Sequence, residues 1–173
     1  MIRTHAWLSK NFHRLGVLEE NINPASVDVC LGSHIIEYTY DEQYEKVDEV
    51  EYRILPGEPF TFVPGKFYLC HTDEYTYIPK DHCAQLILKS SSGRKGLDHA
   101  HSGWGDPGFE GQWTFEFVAH KPVTFTCGQR IAQLVFMRCD EETVMHYGVT
   151  GRYNGQTDAQ VALEDGSYAR VNA

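Results

Sequence analysis

The sequence is short of positive charge and has no long apolar run. No apolar segment approaches the roughly 18 residues of a membrane-spanning helix, and the start MIRTHAWLSKNFHRLG lacks the apolar core of a signal peptide. Fifteen Lys and Arg residues against 24 Asp and Glu residues give a formal net charge of −9, which argues against non-specific binding of nucleic acid. We therefore expect a cytoplasmic protein with no membrane partner and no nucleic-acid partner.

Paired cysteines are also missing. The five cysteines are an odd number, they are widely spaced, and no two of them form a CxxC pair. They predict reduced thiols in a cytosolic protein, most of them buried in strands, rather than a disulfide framework. The HxE and PCxxC signature of zinc deaminases is absent as well, which excludes that zinc chemistry.

Two signatures of nucleotide-binding loops fail on inspection. The Walker pattern GxxxxGK[ST] does not occur. The segment GWGDPG, residues 103–108, matches GxGxxG, but a dinucleotide fingerprint requires a helix to begin at its last glycine. The segment that follows, QWTFEFVAH, alternates apolar and polar residues as a strand does, so the match is rejected.

The composition is sufficient for a folded core, because 42% of the residues are hydrophobic and 13% are aromatic. Trp7, Leu8, Phe12 and Leu15 share one helical face, which predicts a short helix over residues 4–15. Strand-like runs then recur between turns and predict a mostly-β sandwich or barrel-like domain. The runs are SVDVCLGSHIIEYTY, VEYRIL, FTFV, KFYLCHT, AQLILK, QWTFEFVAH, PVTFT, RIAQLVFMR and TVMHYG. The polar residues from 148 onward predict an arm or a lid.

Hydroxyl groups and cations are concentrated in SSSGRK, residues 90–95. The serine hydroxyls, free backbone amides and the Arg94 guanidinium are groups that donate hydrogen bonds to phosphate oxygens. A polar loop with ordinary surface charges is equally consistent with these residues. Both interpretations stay open from the residues alone.

Three titratable side chains are further candidates. His99 and His101 are two apart and could form half of a metal site, but two exposed loop histidines are the simpler interpretation because no Cys or His cluster lies nearby. Glu116 lies mid-strand in QWTFEFVAH, on the face opposite three aromatic residues. Such a carboxylate usually lies on a solvated face. If that face looks into a cleft, the desolvated carboxylate could act as a general base.

Several separated segments together resemble one family. These segments resemble, in the same order along the chain, the motifs of the dCTP deaminase branch of the trimeric dUTPase superfamily. They are INPASVDVCLG, LKSSSGRKGL, DPGFEGQWTFEF, GQRIAQLVF and GRYNGQTDAQ. The resemblance covers most of the chain. It implies a dUTPase-like β-clip, or distorted β-barrel, with a short N-terminal helix over residues 1–147, and a C-terminal arm over residues 148–173 that closes over the nucleotide.

The resemblance also implies a function. The family forms homotrimers with active sites between neighbouring chains, and it removes ammonia from C4 of the cytosine of dCTP by hydrolysis, without zinc. The expected product is dUTP, and Mg²⁺ is expected to bind with the triphosphate. A negatively charged chain that binds an anionic nucleotide needs local cations and a metal ion for this task.

Residue roles follow from the resemblance by position. Glu116 corresponds to the glutamate that activates the attacking water, and Ser90 and Arg94 correspond to the residues that position this glutamate and the water. Asp106 corresponds to an aspartate beside the deoxyribose. The other implied substrate contacts are Lys89, Ser91, Ser102, Gly103, Arg152, Tyr153 and Gln156.

The sequence departs from the family pattern at three places. Between Gly96 and Asp106 the chain is one residue shorter, in the region that walls the base and places the water. Cys30 stands where an arginine is common, and Arg152 stands where a lysine is usual, which keeps the charge but not the geometry. These departures leave the substrate open.

Four alternatives therefore stand beside the dUTP-forming deaminase. They are a bifunctional deaminase that forms dUMP and diphosphate, a dUTP diphosphatase, an enzyme for a modified cytosine nucleotide, and an inactive nucleotide-binding regulatory trimer. In the dUTPase branch, the aspartate at the position of Asp106 activates water at the α-phosphate. Retention of all three catalytic candidates favours an active enzyme.

Overall fold

The computed structural model describes residues 1–100 and 102–163, so the candidate His101 lies outside the described residues. The helices are α1 (His5–Leu15), α2 (Ser90–Lys95) and α3 (Tyr147–Thr150), and a 3-10 turn spans Glu19–Asn21. The first strands are β1 (Val27–Tyr40), β2 (Lys46–Arg53), β3 (Pro59–Phe62), β4 (Lys66–Thr72), β5 (Thr76–Tyr77) and β6 (His82–Leu88). They are followed by β7 (Leu97–His99), β8 (Trp104–Gly105), β9 (Glu110–Gly111), β10 (Thr114–Ala119), β11 (Val123–Thr126) and β12 (Arg130–Arg138).

One antiparallel sheet dominates the molecule, with the strand order β7-β10-β4-β1-β12-β6-β8. The long strand β1 belongs to two halves of this sheet. Its first residues, from Val27 to Cys30, pair with β12, whereas its later residues lie between β2 and β4. The sheet curls where β1 changes partner, and two small ladders, β3–β11 and β5–β9, complete the mostly-β fold that the sequence predicts.

A glycine allows this change of partner. The register of β1 against β4 shifts between Leu31 and Ile35. A Cβ atom at Gly32 would lie 2.2 Å from Cε1 of His71, so the imidazole packs directly on bare backbone. A glycine inside a strand often marks such a close approach.

An aromatic core lies under strand β10 and determines which way its side chains point. The Phe62 ring makes edge contacts with Tyr68 at 5.0 Å and with Phe117 at 5.7 Å between centroids. Phe115 and Phe117 are fully buried, so the alternating residues Thr114 and Glu116 must emerge on the other face, where they are half-buried. The predicted alternation of this strand is confirmed.

Most predicted elements are confirmed, and two are not. The predicted helix is α1, and eight of the nine strand-like runs contain a strand. The run TVMHYG, residues 143–148, forms no strand: Val144 and Met145 are exposed, and the Tyr147 amide bonds Pro107 O instead of a sheet edge. The segment SSSGRK, for which a phosphate-binding loop and an ordinary polar loop both stay open from the residues alone, is helix α2. No helix in the described ranges is long and apolar enough to cross a membrane.

Candidate active site

A cavity of about 490 Å³ opens on the outer face of strand β10. Aromatic side chains form much of its walls and include Tyr38, Phe67, Trp104, Tyr147 and Tyr153. Its polar side chains include Glu116, Asp106, Ser102 and Gln156. Apolar walls with a few convergent polar groups are typical of a small-molecule site, and five of the residues singled out from the sequence line this one cavity.

Glu116 is held rigidly in this cavity by its strand. Its β10 backbone pairs with Leu69 of β4, and its carbonyl oxygen accepts a hydrogen bond from the Ala100 amide at 3.0 Å. The carboxylate oxygen Oε2 is inaccessible and has no hydrogen-bond partner among the described residues. Because Glu116 lines the cavity, this strand face looks into a cleft, as the general-base hypothesis requires, and its Oε2 atom lies against protein rather than solvent.

His99 lies beside this carboxylate. Its Nε2 atom is 3.2 Å from Glu116 Oε2, although the approach lacks the angle of a hydrogen bond. The residue is only 4% exposed and belongs to β7, which pairs with β10 opposite Phe117. The interpretation of His99 as an exposed loop histidine is therefore wrong. The described residues contain no group of three or more His, Cys, Asp or Glu side chains that could hold a metal ion.

Asp106 begins a tight turn at the mouth of the same cavity. The Phe109 amide donates to Asp106 O at 3.1 Å, and Gly108 has φ of 83°. Proline at the second position and a positive-φ glycine at the third are the requirements of a type II turn, so the sequence DPGF explains this geometry. The Asp106 carboxylate is exposed, and its Oδ1 accepts a hydrogen bond from Trp104 Nε1 at 3.1 Å.

Helix α2 carries the other catalytic candidates away from this cavity. The Ser92 hydroxyl donates to Ile131 O at 2.8 Å and anchors the helix, which ends at Gly96 with φ of 99°. Ser90, Ser91 and Arg94 are exposed and do not line the cavity that contains Glu116. A second cavity of about 320 Å³ is lined by Ser90 and by His99.

Lys89 is engaged by a buried carboxylate. Its ammonium group forms an ion pair with Asp28, whose side chain is 1% exposed. The other Asp28 oxygen accepts a hydrogen bond from Asn23 Nδ2 at 2.8 Å. Asn23 and Asp28 belong to the segment INPASVDVCLG, so this segment and the start of α2 are tied together. The expected phosphate contact of Lys89 stays a prediction.

Gly103 borders the cavity without lining it. Its carbonyl oxygen accepts a hydrogen bond from the Leu86 amide at 2.7 Å. A Cβ atom at this position would lie 2.4 Å from Leu86 O, so a side chain is excluded.

The described part of the predicted arm, residues 148–163, folds back on its own chain. Gln156 forms a parallel bridge with Gly111, and its Nε2 donates to Gln112 O at 2.5 Å. Tyr153 lines the cavity, and its hydroxyl accepts a hydrogen bond from the Leu163 amide. Arg152 is exposed and donates to Leu163 O at 3.1 Å. The predicted boundary at residue 147 falls inside α3.

Sequence reasoning missed the anchor of this arm. Asp158 has φ of 62°, and its amide donates to Gln112 Oε1 at 2.7 Å. Its carboxylate forms an ion pair with Arg53 at 2.9 Å and lies 3.7 Å from His71 Nε2. That Nε2 already accepts a hydrogen bond from the His34 amide, and burial lowers the pKa of His71, so the imidazole is neutral. We call these groups, Asp158 with Arg53, His71 and Gln112, the arm anchor.

Comparisons with known proteins identify the family and the fold of this chain. Residues 4–139 match the family model described as dCTP deaminase-like. The chain is 38% identical over 148 residues to a "dCTP deaminase, dUMP-forming" of Rhodococcus opacus, covering 78% of each chain. It is 36% identical over 142 residues to a protein of the same name from Methanobrevibacter smithii, covering 75% of this chain and 73% of the relative.

A solved structure shows the same fold. The 2'-deoxycytidine 5'-triphosphate deaminase of Agrobacterium tumefaciens matches with a TM-score of 0.61 at 20% identity. The match covers 78% of this chain and 47% of that one. The expected dUTPase-like, mostly-β fold with a short N-terminal helix is therefore confirmed.

The names of the relatives correct one expectation. The family resemblance predicts dUTP as the product, whereas the relatives from Rhodococcus opacus and Methanobrevibacter smithii are named for forming dUMP. Deamination alone cannot give a monophosphate. The dUTP-forming assignment is therefore wrong, and the bifunctional alternative is the one that agrees with the relatives.

Proposed function

Because this chain belongs to the dCTP deaminase-like family, we propose that it converts dCTP into dUMP, ammonia and diphosphate. One observation carries the proposal: Glu116 and Asp106, two carboxylates in different environments, line the same cavity. One Glu116 oxygen, Oε2, is inaccessible and the side chain is only partly exposed, whereas Asp106 is exposed at the mouth. Two separate proton-transfer steps need two such bases, and each has a candidate here.

The first step is deamination at Glu116. Its carboxylate takes a proton from a water molecule as the water oxygen bonds to C4 of the cytosine. The same carboxylate then returns the proton to the departing amino group, the C4–N bond breaks, and ammonia leaves. The rigid β10 backbone supports this shuttle, because a general base must stay within hydrogen-bond reach of both groups.

The second step is release of diphosphate at Asp106. A second water loses a proton to the Asp106 carboxylate and bonds to the α-phosphorus, and the bond from this phosphorus to the bridging oxygen breaks. Diphosphate leaves, and dUMP remains. The exposed position of Asp106 at the mouth is suited to the polar sugar and phosphate end of a nucleotide whose base lies among the aromatic walls.

Ser90 and Arg94 of a second copy complete the site in this proposal. On one chain these side chains are exposed on α2 and lie outside the cavity that contains Glu116. A homotrimer in which α2 of one chain caps the cavity of its neighbour would supply the missing hydroxyl and guanidinium donors. Exposed Arg94 and Lys95 would then add positive charge to a chain with a net charge of −9.

The triphosphate is expected to arrive as its Mg²⁺ complex. Mg²⁺ keeps several waters and is commonly held by substrate phosphates with few protein ligands. Tyr153 and Gln156 of the arm line the cavity, and Arg152 is the chain neighbour of Tyr153. The phosphates of a bound nucleotide would extend toward these residues. Their contacts with phosphate are part of the proposal.

The test is a product analysis with dCTP and Mg²⁺, in which ammonia, diphosphate, dUTP and dUMP are separated and counted. The proposal expects one dUMP and one diphosphate for each ammonia. Ammonia with dUTP as the final product would contradict the second step. Diphosphate from dUTP without any turnover of dCTP would indicate a diphosphatase, and no turnover of either nucleotide would contradict both steps.

A further inference from the structure

A Gly-Trp-Gly segment presents one large side chain to the cavity. Strand β8 pairs with β6, with Gly105 opposite Ala84 and Trp104 opposite Gln85. A Cβ atom at Gly105 would lie 2.2 Å from Trp113 Cη2, and one at Gly103 would lie 2.4 Å from Leu86 O. The segment is therefore pressed against the sheet through both glycines, and the alternation of a strand turns Trp104 outward.

The indole of Trp104 contacts the proposed second base. Trp104 is 57% exposed and lines the cavity that contains Glu116 and Asp106. Its Nε1–H donates to Asp106 Oδ1 at 3.1 Å. An indole N–H is only a donor, so this contact orients the carboxylate and leaves its second oxygen, Oδ2, available to accept a proton.

We propose that Trp104 is a positioning residue for Asp106 and thereby favours release of diphosphate over release of dUTP. This inference rests on the proposed function and deepens it. Glu116 has no hydrogen bond to Trp104 among the described residues, so the indole acts on the second step through Asp106 and on the first only through the shape of the wall. The partition between dUTP and dUMP is thus set by one hydrogen bond.

The proposed step balances without any further reactant. The Asp106 carboxylate, held by the indole through Oδ1, takes the proton of water on Oδ2 while the water oxygen bonds to the α-phosphorus. The bond to the bridging oxygen breaks and diphosphate carries away the electron pair. Without the indole donor the carboxylate can rotate away from the water, and dUTP formed at Glu116 can dissociate first.

Trp104→Phe tests this, because it keeps an aromatic wall and removes the N–H donor. Loss of a hydrogen bond to a charged group typically changes a rate or equilibrium constant by about tenfold or more. We therefore expect the kcat of diphosphate release from dUTP to fall about tenfold. The change in KM for dUTP should be smaller. With dCTP as substrate, deamination should slow less than diphosphate release, and dUTP should accumulate.

Asp106→Ala, alone and combined with Trp104→Phe, shows whether the effect passes through the carboxylate. Non-additivity is expected: Trp104→Phe should leave the residual diphosphate release of Asp106→Ala unchanged. Trp7→Phe, in helix α1, is the matched control and should leave the product ratio as in the wild type. Among the three tryptophan indole N–H signals in a nitrogen–proton NMR spectrum, the one lost in Trp104→Phe should shift in Asp106→Ala.

Three results would overturn the inference. They are an unchanged dUTP to dUMP ratio in Trp104→Phe, a further loss in the double variant, or an indole signal that does not respond to Asp106→Ala. Failure of the proposed function looks different, because wild-type enzyme would then release no diphosphate from dCTP.

Discussion

At the scale of single residues, the position of Glu116 follows from its strand. Two buried aromatic residues of β10, Phe115 and Phe117, leave the opposite face of the strand for the carboxylate, and the cavity makes this face a cleft. We expect Glu116→Gln to lower the rate of deamination by about 10²- to 10⁴-fold, because the amide cannot carry the proton from water to ammonia. Quenched assays of ammonia release at set times measure this rate.

The control for Glu116→Gln is nucleotide binding. Gln has nearly the same shape and cannot repel a bound nucleotide, so dCTP should still bind, as measured by calorimetry. Diphosphate release from added dUTP should also continue, since Asp106 is unchanged. A variant that keeps its full rate of deamination would show that another group is the base.

For Lys89 the family resemblance predicts a contact with phosphate, whereas the structure shows an ion pair with the buried Asp28 carboxylate. Removing its ammonium would leave the buried Asp28 carboxylate with Asn23 and with Arg130 at 3.8 Å. We expect Lys89→Met to lower the free energy of unfolding by about 2 kcal/mol, since a buried charge that loses its partner is destabilising. Urea denaturation measures this.

Lys10→Met, on the exposed side of α1, is the matched control and should change stability by no more than about 0.5 kcal/mol. If Lys89 instead binds the phosphates of the substrate, Lys89→Met would raise KM for dCTP and leave the free energy of unfolding unchanged. That result would contradict a structural role.

A local sequence pattern predicts the orientation of a side chain that a single strand or turn determines. It cannot predict a contact that forms only when strands distant in the sequence pair. The alternation in QWTFEFVAH is sufficient to orient Glu116, and DPGF is sufficient for the type II turn at Asp106. Nothing in GLDHAH shows that His99 is buried, because its burial depends on the pairing of three-residue β7 with β10. The arm anchor joins residues 53, 71, 112 and 158, and no local pattern contains such a contact.

At the scale of elements, the arm anchor decides how firmly the arm covers the cavity. Asp158→Asn removes the charge that pairs with Arg53 but keeps a residue that tolerates positive φ. Because the ion pair is partly exposed, its loss should weaken attachment of the arm by at most about 1 kcal/mol of free energy. We expect KM for dCTP to rise by no more than about fivefold, and hydrogen exchange to accelerate at residues 156–160.

Arg53→Gln is the partner variant for this prediction. If the two side chains act as one pair, the double variant should behave like either single variant. Additive effects on KM would show that Asp158 and Arg53 act separately, and unchanged hydrogen exchange would show that this pair does not hold the arm.

Helix α1 is joined to the sheet through a neutral imidazole. The His82 Nε2 atom accepts a hydrogen bond from Arg3 Nε at 2.7 Å, its Nδ1 donates to Asp81, and its ring stacks on Trp7. Burial lowers the pKa of His82 below its usual 6.5. The unfolded chain therefore binds more protons than the folded chain below about pH 6.5, and stability from this group falls as pH drops through that range.

We expect the free energy of unfolding of the His82→Gln variant to depend less steeply on pH between 7 and 5 than that of the wild type. Glutamine can still accept from Arg3 through its carbonyl oxygen. Buried His71 adds a dependence of the same sign, whereas the pKa of Glu74 is raised by burial and acts in the opposite direction, so the difference between the two proteins isolates His82. Equal slopes would contradict a neutral His82.

At the scale of the whole molecule, the proposed site needs two copies of the chain, and this can be tested with two inactive variants. Glu116→Gln keeps an intact α2, and Arg94→Ala keeps an intact cavity. If the chain forms the proposed homotrimer, co-expression of the two variants at equal amounts would give about a quarter of the shared sites the intact cavity of one chain and the intact α2 of its neighbour. We expect about a quarter of wild-type deamination, with almost none from either variant alone. Absence of recovery in assemblies shown by native mass measurement to contain both variants would place Arg94 and Glu116 of one chain in the same site.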